Sequence, residues 1–278
     1  MTVELGRVGI WSMSHLWPDR AELAAELEEL GYGALWLGGS PGGDLGIVDT
    51  LLDATSTLVV GTSIVNIWSD DPAPIATAFD RITTRAPGRF VLGLGSGHKE
   101  MVEPLTGKTY VRPYSKLGEY LDQLAVPAES VALAALGPKT VRLAGERTRG
   151  ALPYLVTPEH TAQAREILGA GPLLAPEQHV VLETDPTRAR ELARDALSLY
   201  LGLPNYVNTW RRLGFSEDDV KGSDRLVDAL VVWGDEEAVR ARVAEHLAAG
   251  ADHVALQVVT ADGTLDPAAY RRLAELND

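Results

Sequence analysis

Six histidines supply the side chains best suited to proton transfer near neutral pH. Two of them, His15 and His98, follow short apolar runs that read as β-strands. His98 closes the segment Gly93-Leu94-Gly95-Ser96-Gly97-His98. Glycines there leave the backbone open to a flat ring or an anion, although they also serve ordinary strand-to-loop turns. A second segment, Ala134-Ala135-Leu136-Gly137-Pro138-Lys139, leads into a helix expected from about Lys139. Free amides at that helix start could hold a phosphate, with Lys139 or Arg142 adding charge. Basic residues on a solvated helix face need no function, so both readings stand. A third segment, Gly61-Thr62-Ser63-Ile64-Val65-Asn66, runs into Trp68-Ser69-Asp70-Asp71-Pro72. It suits a strand-end site, and Asp70 or Asp71 before Pro72 is expected to cap a helix. Of the other histidines, His160 at a helix start stays a candidate, His179 and His246 read as structural, and His253 falls at the opposite rim. No HxH or HExxH spacing occurs, so no histidine-built metal site is expected, and neither a GxSxG elbow nor a Walker-type loop is present.

The elements that would position these residues follow from hydrophobic patterning. Strands are expected at Val8–Trp11, Ala34–Leu37, Leu58–Val65, Phe90–Gly95, Val131–Leu136, Ala151–Val156, His179–Glu183 and His253–Val258. Their nearly continuous apolar character fits parallel strands buried on both faces. The helices between them share one grammar. Asp19 and Asp235 stand where caps belong, and Gly31 and Gly250 stop the helices before the next strand. Eight such units predict a (β/α)8 TIM barrel, with an open parallel sheet as the alternative. Active sites of barrels sit where the strands end, which places the three segments on one rim. The stretches after strand four (Ser96–Ser130) and strand seven (Thr184–Asp252) exceed one helix and two loops, so insertions over the site are expected.

Composition sets the outer bounds. With 278 residues and 45% hydrophobic content, one domain spanning 1–278 is expected, and no linker or repeat divides it. Absence of cysteine excludes disulfides and thiolate chemistry. A net charge of −14 argues against nucleic acid as a partner and requires any phosphate site to be built locally. No leader-like or membrane-length apolar run occurs, so a cytoplasmic protein without membrane contact is the expectation.

Taken in order, Gly61-Thr62-Ser63-Ile64 with Pro72 and Ile75-Ala76, Gly93-Leu94-Gly95-Ser96-Gly97, Ala134 to Lys139, and Gly250-Ala251-Asp252-His253-Val254 resemble the luciferase-like superfamily of flavin- and deazaflavin-dependent enzymes. The stretches Leu203-Pro204-Asn205-Tyr206, Arg212-Leu213-Gly214-Phe215 and Gly222 to Asp228 look like an actinobacterial subgroup described as oxidoreductases using coenzyme F420. The resemblance implies a luciferase-like barrel that moves a hydride between F420 and a small organic substrate, and a homodimer. It implies a non-prolyl cis peptide at Ser63–Ile64, ring and side-chain binding by Gly95, Ser96 and Gly97, and phosphate binding by Ala135, Leu136 and Gly137 near Lys139. The strand-two end departs from the pattern. Several deazaflavin-dependent relatives carry an acidic residue and a histidine there, whereas this chain reads Gly38-Gly39-Ser40-Pro41-Gly42-Gly43 before Asp44. His98, and next His15, are the candidate proton donors in their place. The rival readings are an FMN-dependent monooxygenase and a non-catalytic flavin- or deazaflavin-binding protein.

Overall fold

A computed structural model describes residues 3–277. Its strands are β1 (Val8–Met13), β2 (Ala34–Gly38), β3 (Val59–Thr62), β4 (Val65–Asn66), β5 (Phe90–Gly95), β6 (Val131–Leu133), β7 (Gly150–Ala151), β8 (Leu173–Leu174), β9 (Glu177–Val181), β10 (Val231–Trp233) and β11 (Val254–Val258). Every pairing between them is parallel. The sheet runs β10-β9-β11-β1-β2-β3-β5-β6-β7-β8, with β4 on β5.

Only Ala175 and Pro176 separate β8 from β9, so the two ends of that path meet on one stretch of chain. Toward β7, the amides of Ala175 and Glu177 donate to Ala151 and Pro153 at 3.0 and 2.9 Å. Toward β11, the amides of Asp252 and Ala255 donate to Leu174 and Pro176, both at 2.9 Å. The barrel closes there. Its eight staves are β1, β2, β3 with β4, β5, β6, β7, β8 with β9, and β11, while β10 is a short extra strand on β9.

Alternation along the strands sorts the core into two parts. Val8, Ile10, Leu35, Leu37, Val60, Leu92 and Leu256 face outward into the layer of helices. Trp11, Ala34, Trp36, Val59, Val91, Ala132 and Ala255 fill the interior. Trp36 takes much of that volume, and small neighbours make room for it. A Cβ on Gly61 would lie 2.4 Å from the Trp36 ring. The Trp36 indole donates to Nε2 of His253 at 3.0 Å, and His253 Nδ1 lies 2.9 Å from the Gly6 carbonyl, which can only accept. Full burial holds this imidazole neutral, with its pKa pushed down to about 4.

The helices are α1 (Ala21–Glu29), α2 (Gly46–Asp53), α3 (Pro72–Arg85), α4 (Lys99–Thr106), α5 (Pro113–Gln123), α6 (Pro138–Arg147), α7 (Pro158–Leu168), α8 (Pro186–Leu197), α9 (Pro204–Arg212), α10 (Asp224–Leu230), α11 (Glu236–Ala248) and α12 (Pro267–Leu273). Asp235 caps α11 as expected, accepting from the Ala238 amide at 3.1 Å. Gly31 and Gly250 leave their helices at φ +84° and +100°. Asp19 is a correction: α1 starts from Arg20, and Asp19 itself turns at φ +60° without a capping bond. Asp71 occupies the cap position of α3 but accepts no capping bond. The strand expected over Leu58–Val65 is broken at Ser63–Ile64, and those expected to reach Leu136 and Val156 end as regular strands at Leu133 and Ala151. Both expected insertions exist, α4 and α5 after β5, and α8 to α11 after β9. Among the described residues no helix is long and apolar enough to cross a membrane.

Candidate active site

The strand ends open into a cleft of about 530 Å³, within the range of small-molecule sites. Its floor begins where β3 leaves the barrel wall and returns as β4. The Ser63–Ile64 peptide between them is cis, and both residues line the cleft. Ile64 packs on the last residue of β5, where a Cβ on Gly95 would lie 2.8 Å from Ile64 Cγ1. Glycine is therefore required at that close approach. Thr62 ties the two strands together, donating to the Gly93 carbonyl and accepting from the Gly93 amide, both at 2.8 Å. From the opposite side, Ser40 accepts from the Asn66 amide at 2.9 Å.

His98 follows at the N-terminus of α4, half-buried in the cleft wall, without capping its helix. Its ring lies 5.2 Å from that of Tyr206, and the Asn205 side-chain amide approaches its Nδ1 at 3.4 Å. A donor at Nδ1 leaves the proton of the neutral ring on Nε2. Burial lowers the His98 pKa, and the Glu100 carboxylate opposes that only in part. Tyr110, from the first insertion, donates to the Gly97 carbonyl at 3.1 Å and so holds this loop against the barrel.

A tyrosine cluster forms the facing wall. Tyr154 donates to Gln257 Oε1 at 2.9 Å and shares a 3.1 Å hydrogen bond with the Tyr200 hydroxyl. Because its one proton goes to Gln257, the Tyr200 hydroxyl supplies the proton of the shared bond. Trp11 lies 5.0 Å from the Tyr154 ring, and His179, bonded to Glu177 at 2.6 Å, meets its edge from below. Burial raises the Tyr154 and Tyr206 pKa values well above the phenol range, so both remain neutral.

The third wall is the start of α6. Gly137 occupies the cap position with extended backbone and no side chain to satisfy the helix amides. A Cβ there would meet only Arg212 Nη2, at 3.9 Å. Arg212 donates to Thr209 Oγ1 at 2.7 Å and makes no ion pair among the described residues. Thr140 and Asn208 complete this corner. His160 is buried behind it, its Nε2 bonded to the Leu136 carbonyl at 2.9 Å. It holds the segment that follows β6 and does not line the cleft.

Residues 4–125 match the family model for luciferase-like monooxygenases. The whole chain superposes on an F420-dependent secondary alcohol dehydrogenase solved with an F420–acetone adduct, with TM-score 0.75, 14% identity and 98% of each chain covered. The chain has the luciferase-like barrel fold. A second solved structure of this fold is the oxygenating component of 3,6-diketocamphane monooxygenase from Pseudomonas putida, in complex with FMN. There the TM-score is 0.69 at 16% identity, over 98% of this chain and 96% of that one. Among curated proteins, one from Mycobacterium tuberculosis provisionally named a coenzyme F420-dependent oxidoreductase is 25% identical, over 87% of this chain and 90% of its own.

Within the luciferase-like barrel, Ser63, Ile64, Ser96, Gly97, His98, Ala135, Leu136 and Gly137 come together around the cleft. Gly95 lies behind Ile64 and supports it. Two expected residues fall elsewhere. His15 sits in an exposed 3-10 turn beyond Met13, and Lys139 is exposed outside the cleft, as is Arg142. Arg212 is the cation that borders the cleft instead. Sequence reasoning missed it and the tyrosines because they come from the second insertion or from irregular chain after β7. Their only signal was that Tyr206 and Arg212 lie in the subgroup-like stretches. At the bare end of β2, Gly39 and Ser40 line the cleft, while Asp44 turns away to receive the Gly46 amide at 3.2 Å.

Proposed function

We propose that this protein is an oxidoreductase that moves a hydride between the deazaflavin coenzyme F420 and a small organic substrate. One observation carries the reading. The chain has a net charge of −14, yet among the described residues no carboxylate lines the cleft, and Arg212 is its one permanent cation. An acidic protein that keeps its acids out of one cleft, and places an unpaired arginine at an uncapped helix start, is built to admit an anion there.

The residues present fit such a cofactor. Gly137 leaves open space beside Arg212, and Thr140 and Asn208 add polar groups for a phosphate. Ser63, Ile64, Ser96 and Gly97 offer a backbone-rich surface for a flat ring, and Ala135 and Leu136 flank it. When bound, the deazaflavin supplies the carbon that gives or takes the hydride. The chain holds and orients the partners, and its aromatic wall of Trp11, Tyr154 and Tyr206 keeps water away. His98 handles the proton. Its neutral ring takes one from a substrate hydroxyl, and its protonated ring gives one to a substrate carbonyl.

F420 is preferred because the M. tuberculosis relative carries that name over nearly the full length of both chains. The second reading, an FMN-dependent monooxygenase, is favoured by the matched family model and by the FMN-bound neighbour. A homodimer, on the family expectation alone, and a cytoplasmic location, expected from the sequence, complete the proposal. Anaerobic assays separate the two readings. Return of the oxidised deazaflavin absorbance from reduced F420 and a carbonyl substrate, without oxygen, supports the proposal. Turnover that needs both oxygen and reduced FMN replaces it with the monooxygenase.

A further inference from the structure

Five large hydrophobic side chains are exposed among the described residues, and four of them border this one cleft. Met101 and Leu105 are 49% and 76% exposed, Tyr114 is 48% and Leu199 is 53%. They come from separate parts of the chain. Met101 and Leu105 stand four apart on α4, and so share one face of that helix while Val102 faces the core. Tyr114 opens α5, and Leu199 precedes the turn that leads to α9. Both insertions thus deliver apolar side chains to the same mouth. Exposed apolar surface is costly to leave in water, and its concentration around a concave site marks what that site receives.

Charge points the same way. The acid-free lining places its one cation at the α6 corner, and the polar groups nearest the tyrosine wall are neutral hydroxyls, the Asn205 and Gln257 side-chain amides and His98. Nothing in the described lining would pair with a charged substrate away from Arg212.

We infer that the substrate is an uncharged, largely apolar molecule whose hydrocarbon body lies on Met101, Leu105, Tyr114 and Leu199. Its single polar group points toward His98 and Tyr200. The inference rests on the hydride-transfer reading for the word substrate, but the binding it describes can be measured without cofactor.

The probe is Nile red, a neutral dye that fluoresces in apolar surroundings, displaced by linear methyl ketones of increasing length and by octanoate. Each added methylene should strengthen displacement about fourfold until the cleft is filled. In the Arg212→Ala variant, whose cleft lining keeps no cation, octanoate should compete at least about tenfold less well than the ketone of equal length, because its charge must be desolvated. The double variant Leu105→Ser and Leu199→Ser, at exposed positions where folding is spared, should lose most of the chain-length dependence. Circular dichroism checks that it is folded. A flat ketone series, equal competition by octanoate in Arg212→Ala, or an unchanged trend in the double variant would overturn the inference. So would dye binding that falls as protein concentration rises, since a second copy would then cover the patch. F420 titrations on the same samples keep the two readings apart. A normal ketone trend without F420 binding removes only the cofactor reading, and F420 binding with a flat ketone series removes only the substrate class.

Discussion

In the proposed reaction Arg212 would hold charge and His98 would move a proton. Removing a charge-assisted hydrogen bond to an anion typically costs about 1.5–3 kcal/mol. Arg212→Ala should therefore weaken cofactor binding by roughly 10- to 100-fold, as read by fluorescence titration, with the thermal midpoint little changed because the side chain is exposed and unpaired. His98 should behave in the opposite way. His98→Gln should keep cofactor affinity within about a factor of two and lower turnover by about 10²–10⁴-fold. The pH dependence follows from its surroundings. Burial lowers the His98 pKa below the usual 6.5, so the ring is mostly neutral at neutral pH. Carbonyl reduction needs the protonated ring, and its rate should rise on acidification through a value below 6.5 and be flat in the variant. A fall in affinity with normal turnover at saturation would make His98 a binding residue. His98 was legible in the sequence because it abuts a glycine-rich strand end. Arg212 was not, because nothing local distinguishes an arginine that turns into a cleft from its neighbour Arg211, which pairs with Glu217.

At the level of elements, the start of α6 and the packing of the barrel interior each make a claim. Gly137→Asp adds little bulk, since only Arg212 lies within 4 Å of the new Cβ, and the backbone there is already extended. The carboxylate would instead pair with Arg212 and repel an anion. Cofactor affinity should fall by at least about tenfold while the urea midpoint stays near that of the parent. Gly61→Ala should do the reverse. Its Cβ would press on a Trp36 ring held by His253, and overpacking of this kind costs roughly 1–3 kcal/mol. Urea unfolding would show that loss, and an unchanged midpoint would mean that the interior can relax. Strands with long apolar runs, β1, β2, β5 and β11, could be read from the sequence to within two residues. Two-residue strands such as β7 and β8 could not, because no alternation develops over two positions and proline or glycine lies beside them. The extra strand β10 escaped notice because Val231–Trp233 continues directly from the apolar face of α10. The glycine segments lay where the pattern put them, since strand ends in a barrel share one rim whatever the loops do, whereas the break at Ser63–Ile64 interrupts a run that patterning reads as one strand and only the family resemblance pointed to it.

Across the whole molecule, buried neutral histidines tie stability to pH. The unfolded chain protonates His253 near the ordinary 6.5, whereas the folded chain resists until about 4. Stability from this group is therefore complete above pH 6.5 and declines as pH falls toward 4, by roughly 3 kcal/mol in total. Chemical denaturation at a series of pH values should show that decline, and His253→Gln should make the slope shallower. A slope unaffected by the substitution would assign acid sensitivity to other groups. The larger design is an acidic barrel with one acid-free cleft, roofed by two insertions and charged at a single corner. Its central claim is that this cleft holds a deazaflavin. The direct measurement is equilibrium titration of the protein with F420 and with FMN, followed by quenching of tryptophan fluorescence, since Trp11 lines the cleft. The expected result is saturable F420 binding at least about tenfold tighter than that of FMN. Tighter binding of FMN, or no saturable binding of F420, would contradict it.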